Sequence, residues 1–84
     1  MEIVIDVKEL DNLQQMHEQL RKQLQFPENY GNNLDALYDM LTSRQAPLTI
    51  KVKKDPSKSW VRLMRMLRDA AAENPAITLK ETEE

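Results

Sequence analysis

Asp35 and Asp39 lie four residues apart, and no basic residue stands between Lys22 and Arg44 to neutralise them. On a helix that spacing puts both carboxylates on one face, one turn apart, where like charges cost roughly 0.2–0.5 kcal/mol. The surrounding stretch, Phe26 to Thr42, also holds the only glycine and both tyrosines. Unpaired carboxylates beside aromatic residues equip a surface to capture a cationic partner. The charges steer the encounter, and the rings supply area that can be desolvated. Two carboxylates could also perform acid–base work, but that chemistry needs a pocket that drives their pKa values apart. Nothing in the pattern builds one. With one histidine, no cysteine and no phosphate loop, the chain offers no nucleophile–base pair and no metal cluster. The expectation is a binding protein with no catalytic residue, no metal and no cofactor.

The pair has to be held by a helix, and the flanking residues predict one. Asn32 or Asn33 can cap it, Leu34, Leu37, Tyr38 and Leu41 form its apolar stripe, and Asp35, Asp39 and Thr42 its polar face. Gly31 is expected to supply a positive φ in the connection before it. Upstream, Ile3-Val-Ile-Asp-Val7 reads as a strand buried on both faces. Asp11 is placed as the cap of a first helix, with Gln14 completing a capping box and Leu13, Met16, Leu20 and Leu24 as its stripe. Phe26-Pro27 ends that helix.

Downstream, Leu48-Thr-Ile-Lys-Val52 alternates as a strand, and Lys53 to Ser59 is a polar linker. Asp55-Pro56 predicts the start of a third helix whose stripe is Trp60, Leu63, Met64, Leu67 and Ala71. Asn74-Pro75 stops it, and Ala76-Ile-Thr-Leu79 gives a last strand. The order strand, helix, helix, strand, helix, strand implies an α/β fold: one small domain spanning residues 1–84, a three-stranded parallel sheet flanked by about three helices. Residues 81–84 are expected to be a solvated tail.

Eighty-four residues suffice for one modest core. The absence of cysteine suits a reducing compartment, and the acidic start with its short apolar run is neither a signal peptide nor a membrane span. A cytoplasmic protein, monomeric when free, is the expectation. The net charge of −2 conceals an asymmetry. Arg44 to Arg68 carries Arg44, Lys51, Lys53, Lys54, Lys58, Arg62, Arg65 and Arg68 against Asp55 alone. A second function class is therefore a small nucleic-acid-binding or scaffolding module using this basic Lys51–Arg68 face. Against it, Trp60 is the only aromatic residue interleaved with the basic ones, and it falls on the apolar stripe.

Structural roles compete with partner contact at several positions. Asp35 in a first helical turn is stabilised by the helix dipole. Tyr38 can pack into the stripe, and Tyr30 can be buried with its hydroxyl bonded to the backbone. His17 reads as a boundary histidine bonded locally, Trp60 as the anchor of the third helix, and Met16, Met64 and Met66 as filler.

The string Tyr30-Gly-x-Asn-Leu-Asp-Ala-Leu-aromatic-Asp39, preceded by Pro27-Glu28 and followed by Leu41-Thr42, resembles the barstar family, intracellular inhibitors of barnase-type ribonucleases. Weaker likeness runs through Leu13, His17, Leu20 and Leu24 to Arg68-Asp-Ala-Ala-Ala-Glu73 and Ile77-Thr78. The resemblance implies that the second helix and its preceding loop enter a basic ribonuclease active site, with Asp39 meeting the cations that hold the RNA phosphate. It implies partner contact for Asn29, Tyr30, Asn33, Leu34, Asp35, Tyr38, Asp39, Thr42 and Asp69. There are departures from the family's pattern. Asn29 replaces an aromatic, Tyr38 a tryptophan, Asn32 an acidic residue, and Asp69 a glutamate. Arg44 stands in the short Ser43–Pro47 loop instead of an aromatic. They imply an interface retuned for a ribonuclease other than barnase.

Overall fold

Alternation in the strands decides which face of the sheet is covered. The structure, a computed structural model, describes residues 1–83. Strands β1 (Glu2–Asp6), β2 (Leu48–Lys54) and β3 (Ile77–Glu83) form a parallel sheet in the order β1-β2-β3. Register sets Ile3 beside Ile50, Ile5 beside Val52, Leu48 beside Ile77 and Ile50 beside Leu79, so one face is an aliphatic wall. Helices α1 (Leu13–Leu24), α2 (Leu34–Thr42) and α3 (Val61–Glu73) pack on that wall. The predicted α/β domain, with three parallel strands and three helices, is the fold observed.

The other face of the sheet is open. Val4, expected to be buried, is 38% exposed, and Thr78 and Lys80 are exposed beside half-buried Lys51 and Lys53. The physical reason is the strand order. Both crossovers step in the same direction, and two such crossovers of the usual right hand put every helix on one side.

Several local expectations are corrected. Asn12, not Asp11, caps α1, accepting from the Gln15 N–H at 2.9 Å, while the Gln15 side chain accepts from the Asp11 N–H at 2.8 Å. The capping-box logic holds, one residue later in the chain. Gly31 has no positive φ; Asn32, at 50°, takes the left-handed turn, and Gln25, at 56°, ends α1. Gly31 is instead a matter of space, because a Cβ there would stand 2.9 Å from the Asn33 amide nitrogen. Asp55 does not start α3. Its carboxylate accepts from the Ser57 N–H at 3.0 Å and its carbonyl from the Lys58 N–H at 2.9 Å, closing a tight turn instead. Helix α3 begins at Val61, and its inward face adds Met66 and Ala70, while Ala71 is only half-buried.

The predicted tail is also revised: Glu81 to Glu83 continue β3, and Glu84 lies outside the described residues. Glu81 has a reason to be ordered. Arg68 of α3 donates to its two carboxylate oxygens at 2.9 and 2.6 Å, and Lys54 of β2 donates at 3.2 Å. These donors hold the carboxyl down at about 2, Arg68 contributing most. A depressed carboxylate stabilises the fold above its unfolded value of 4.5 and loses that contribution as pH falls toward 2. Glu81→Gln is expected to cost about 1 kcal/mol at neutral pH, given solvent screening of the pair. In urea denaturation the difference from the parent should vanish near pH 2. A constant difference would assign the loss to packing.

Candidate functional site

Helix α2 is short, and its termini are secured by side chains from two directions. At its start the Asn33 carboxamide accepts from the Ala36 N–H at 2.8 Å and donates to the Gly31 carbonyl at 3.2 Å. At its end the buried Asn74 amide, from the α3–β3 junction, donates to the carbonyls of Leu41 at 2.9 Å, Arg44 at 2.8 Å and Thr42 at 3.3 Å. Leu41 and Thr42 belong to the last turn, whose carbonyls have no α-helical partner, and Arg44 lies just beyond it. Leu37 and Leu41 are fully buried and fix the rotation of α2 about its axis. That rotation turns Asp35 and Asp39 outward, both exposed. Among the described residues neither carboxylate has an ion-pair partner.

Around this ridge Leu34 and Tyr38 are half-buried, each packing one side on the core and leaving the other free. Asn29 is exposed in the preceding loop. Thr42 is half-buried and donates its hydroxyl to the Tyr38 carbonyl at 2.8 Å. Asp69 is exposed on α3, the helix against which α2 packs.

Tyr30 belongs to the inside of the molecule. It is 7% exposed, with its ring 4.8 Å from that of Phe26. Its hydroxyl lies 2.6 Å from His17 Nδ1, and not on the backbone. His17 is 2% exposed, so the boundary position and local bonding expected for it are both corrected. The pair ties α1 to the loop that leads into α2. Burial lowers the His17 pKa below its ordinary 6.5 and pushes the Tyr30 hydroxyl up to about 12, so both are neutral near pH 7. The unfolded chain therefore binds more protons than the folded one between the lowered pKa and 6.5, and stability falls as pH drops through that window. Urea midpoints are expected to decline between pH 7.5 and 5.5 in the parent and less steeply in His17→Gln. Parallel profiles would mean that another group titrates.

Beside the ridge, α1, the Asn32–Asn33 turn and α3 enclose a groove of about 340 Å³, into which Leu13, His17, Asn32, Leu34, Asp35 and Arg62 face. Sequence reasoning missed three contributors to this region. Asn74 was read only as a helix stop, Asn32 as a possible cap and as a departure from an acidic residue of the family's pattern, and Arg62 only as part of a basic run. The Asn-Pro and paired-asparagine signals were visible, but their long-range partners were not.

The basic run itself is divided by the fold. Lys51 and Lys53 alternate onto the open sheet face, Lys54 turns to Glu81, and the Lys58 ammonium donates to the Leu10 carbonyl at 2.8 Å. Arg62 and Arg65 lie on the outer side of the helical layer.

Compared with known proteins, residues 1–81 match the family described as "Barstar (barnase inhibitor)". The chain belongs to the barstar family. Among curated proteins, this barstar-family chain is 44% identical over 52 residues to one from Bacillus subtilis (strain 168) named "Putative ribonuclease inhibitor YrdF". That match covers 61% of the chain and 57% of the relative, so it spans a little over half of that protein's length. Barstar-family inhibitors are not enzymes. Among the described residues no helix is long and apolar enough to cross a membrane, and no group of His, Asp and Glu could hold a metal ion.

Proposed function

We propose that this chain inhibits a barnase-type ribonuclease inside the cell that makes it, blocking a basic active site with α2. The observation that carries the reading is the pair Asp35 and Asp39, exposed, without ion-pair partners and flanked by half-buried Leu34 and Tyr38. Asp39 occupies the place of a substrate phosphate, and Asp35 adds a second charge one turn away. Leu34, Tyr38 and Thr42 supply the rim, with Asn29 and Asp69 at its margins. Tyr30 acts from behind by shaping the loop, while exposed Asn33 caps the helix at the edge of the surface offered to the partner. A buried Tyr30 offers little area to a partner, so Tyr38 is the main aromatic anchor available.

The direct test is cleavage of RNA by a barnase-type ribonuclease with and without the chain. Inhibition is expected, and the pair Asp35→Asn with Asp39→Asn should abolish it. Association should slow as salt rises, because exposed charges steer over a Debye length of about 8–10 Å. If Lys51→Gln with Lys53→Gln removed the activity instead, and the double asparagine variant kept it, the nucleic-acid reading would replace this one.

A further inference from the structure

The cations on and before α3 are used unevenly. Arg68 and Lys54 pair with Glu81, and Lys58 donates to the Leu10 carbonyl. Arg62 and Arg65 are exposed, and among the described residues neither has an ion-pair partner. Helix stability does not explain them. Arg62 stands in the first turn, where a cation opposes the helix dipole, and that turn has neither an acidic residue nor a side-chain cap to offset it. At a spacing of three the two arginines also repel each other. Val61, 57% exposed, adds apolar surface one turn before Arg65.

What lies beside the arginines gives them a use. Asp69 follows them at helical spacing on the same side of α3, and it too is exposed. Arg62 lines the groove that Asn33 and Leu34, at the start of α2, also line. The helical layer therefore presents a bipolar surface, with carboxylates along α2 and cations at the head of α3.

Resting on the inhibitor reading, we propose that Arg62 and Arg65 are a specificity element. They select a ribonuclease that carries carboxylates beside its basic active site, and they disfavour one that is basic across its whole docking face. An acidic patch on such an enzyme meets the head of α3. Complementary charges fix the register of docking, and the clash with a uniformly basic enzyme is the repulsive half of the discrimination. Nucleic acid fits this patch less well. The flanking carboxylates repel phosphates, and no exposed aromatic ring accompanies the arginines to stack on bases.

The test is stopped-flow association of the full chain with barnase at low and high salt. Arg62→Gln with Arg65→Gln should associate about threefold faster than the parent at low salt, and the gain should shrink as salt rises, because rim charges act on the encounter. Arg62→Glu with Arg65→Glu should gain more, about tenfold. Lys51→Gln with Lys53→Gln removes the same charge from the open sheet face, farther from the docking surface, and should give less than about half the gain of the arginine pair. Equal gains in the two glutamine pairs would reduce the effect to net charge and overturn the assignment. So would unchanged or slower association of the arginine variants. Urea midpoints of the arginine variants should equal or exceed the parent's; lower ones would assign the arginines to the fold instead. Retention of single-stranded DNA by the parent, lost in Arg62→Gln with Arg65→Gln, would replace the acidic patch with nucleic acid. Asp39→Ala separates the two readings. If it weakens binding to barnase while the arginine pair changes nothing, the specificity element is wrong and the inhibitor stands. If neither the parent nor any variant binds barnase, the inhibitor reading fails and the element with it.

Discussion

Asp39→Ala is expected to lower affinity for a barnase-type ribonuclease by roughly 2–5 kcal/mol, the cost of truncating one partner of a buried, hydrogen-bonded charge pair. That magnitude comes in part from the barnase–barstar complex, which belongs to this family, and is carried over to Asp39 by resemblance. The free protein should keep its stability. Asp39 is exposed and has no ion-pair partner among the described residues, so no intramolecular contact is lost. Removing a like charge one turn from Asp35 relieves roughly 0.2–0.5 kcal/mol, and alanine is the better helix former. Titration calorimetry and urea denaturation of the same variant separate the two quantities. Affinity within about twofold of the parent, equivalent to under ~0.5 kcal/mol, would remove Asp39 from the centre of the interface. Asp35→Ala should bring no such gain in stability, since it removes a residue favoured by the dipole in the first turn of α2.

The second large effect falls on stability and is centred on Asn74. Its amide hydrogens serve three carbonyls at the end of α2, and its own side-chain oxygen accepts from the Ala76 N–H at 3.0 Å. Asn74→Ala leaves these groups to find water at a site that is largely closed, at about 2–4 kcal/mol in total, since each unsatisfied buried group costs ~1–3. Asn74→Asp should be worse, although it is nearly isosteric, because an ionised carboxylate has no donor and faces carbonyl oxygens. A domain of this size has only about 5–15 kcal/mol of stability to lose. Urea midpoints of the two variants decide the matter. If Asn74→Asp is no weaker than Asn74→Ala, donation by the amide is not what holds the end of α2.

Asn74 also connects the fold to the function. The last turn of α2 carries Thr42 and follows Asp39 directly, so a frayed C-terminus would loosen the face offered to the partner. Three separate devices act on this nine-residue helix: the Asn33 cap, the Asn74 clamp, and the His17–Tyr30 pair behind the preceding loop. Isolated helices shorter than about 12–15 residues are marginal in water. Tertiary contacts therefore provide most of what keeps α2 in place. A preorganised docking element loses less entropy on binding.

Periodicity and cap chemistry made much of this legible in the sequence. The Leu34-Leu37-Tyr38-Leu41 stripe placed Asp35 and Asp39 on the outer face of α2 because a helix repeats every 3.6 residues, whatever its neighbours are. The alternation of β2 and the order of elements gave the parallel α/β class by similarly local rules. What depends on pairs distant in the chain was not legible. That Asn74 reaches Leu41 and Arg44, that His17 meets Tyr30, and that Arg68 holds Glu81 in β3 are facts of approach between elements. Open and covered faces of the sheet follow from the direction of two crossovers, which left Val4 exposed and sent Lys51 and Lys53 away from Arg62 and Arg65. Local sequence sets which face of an element is apolar. Only the packed chain decides which charges share a surface, because that depends on which elements lie side by side.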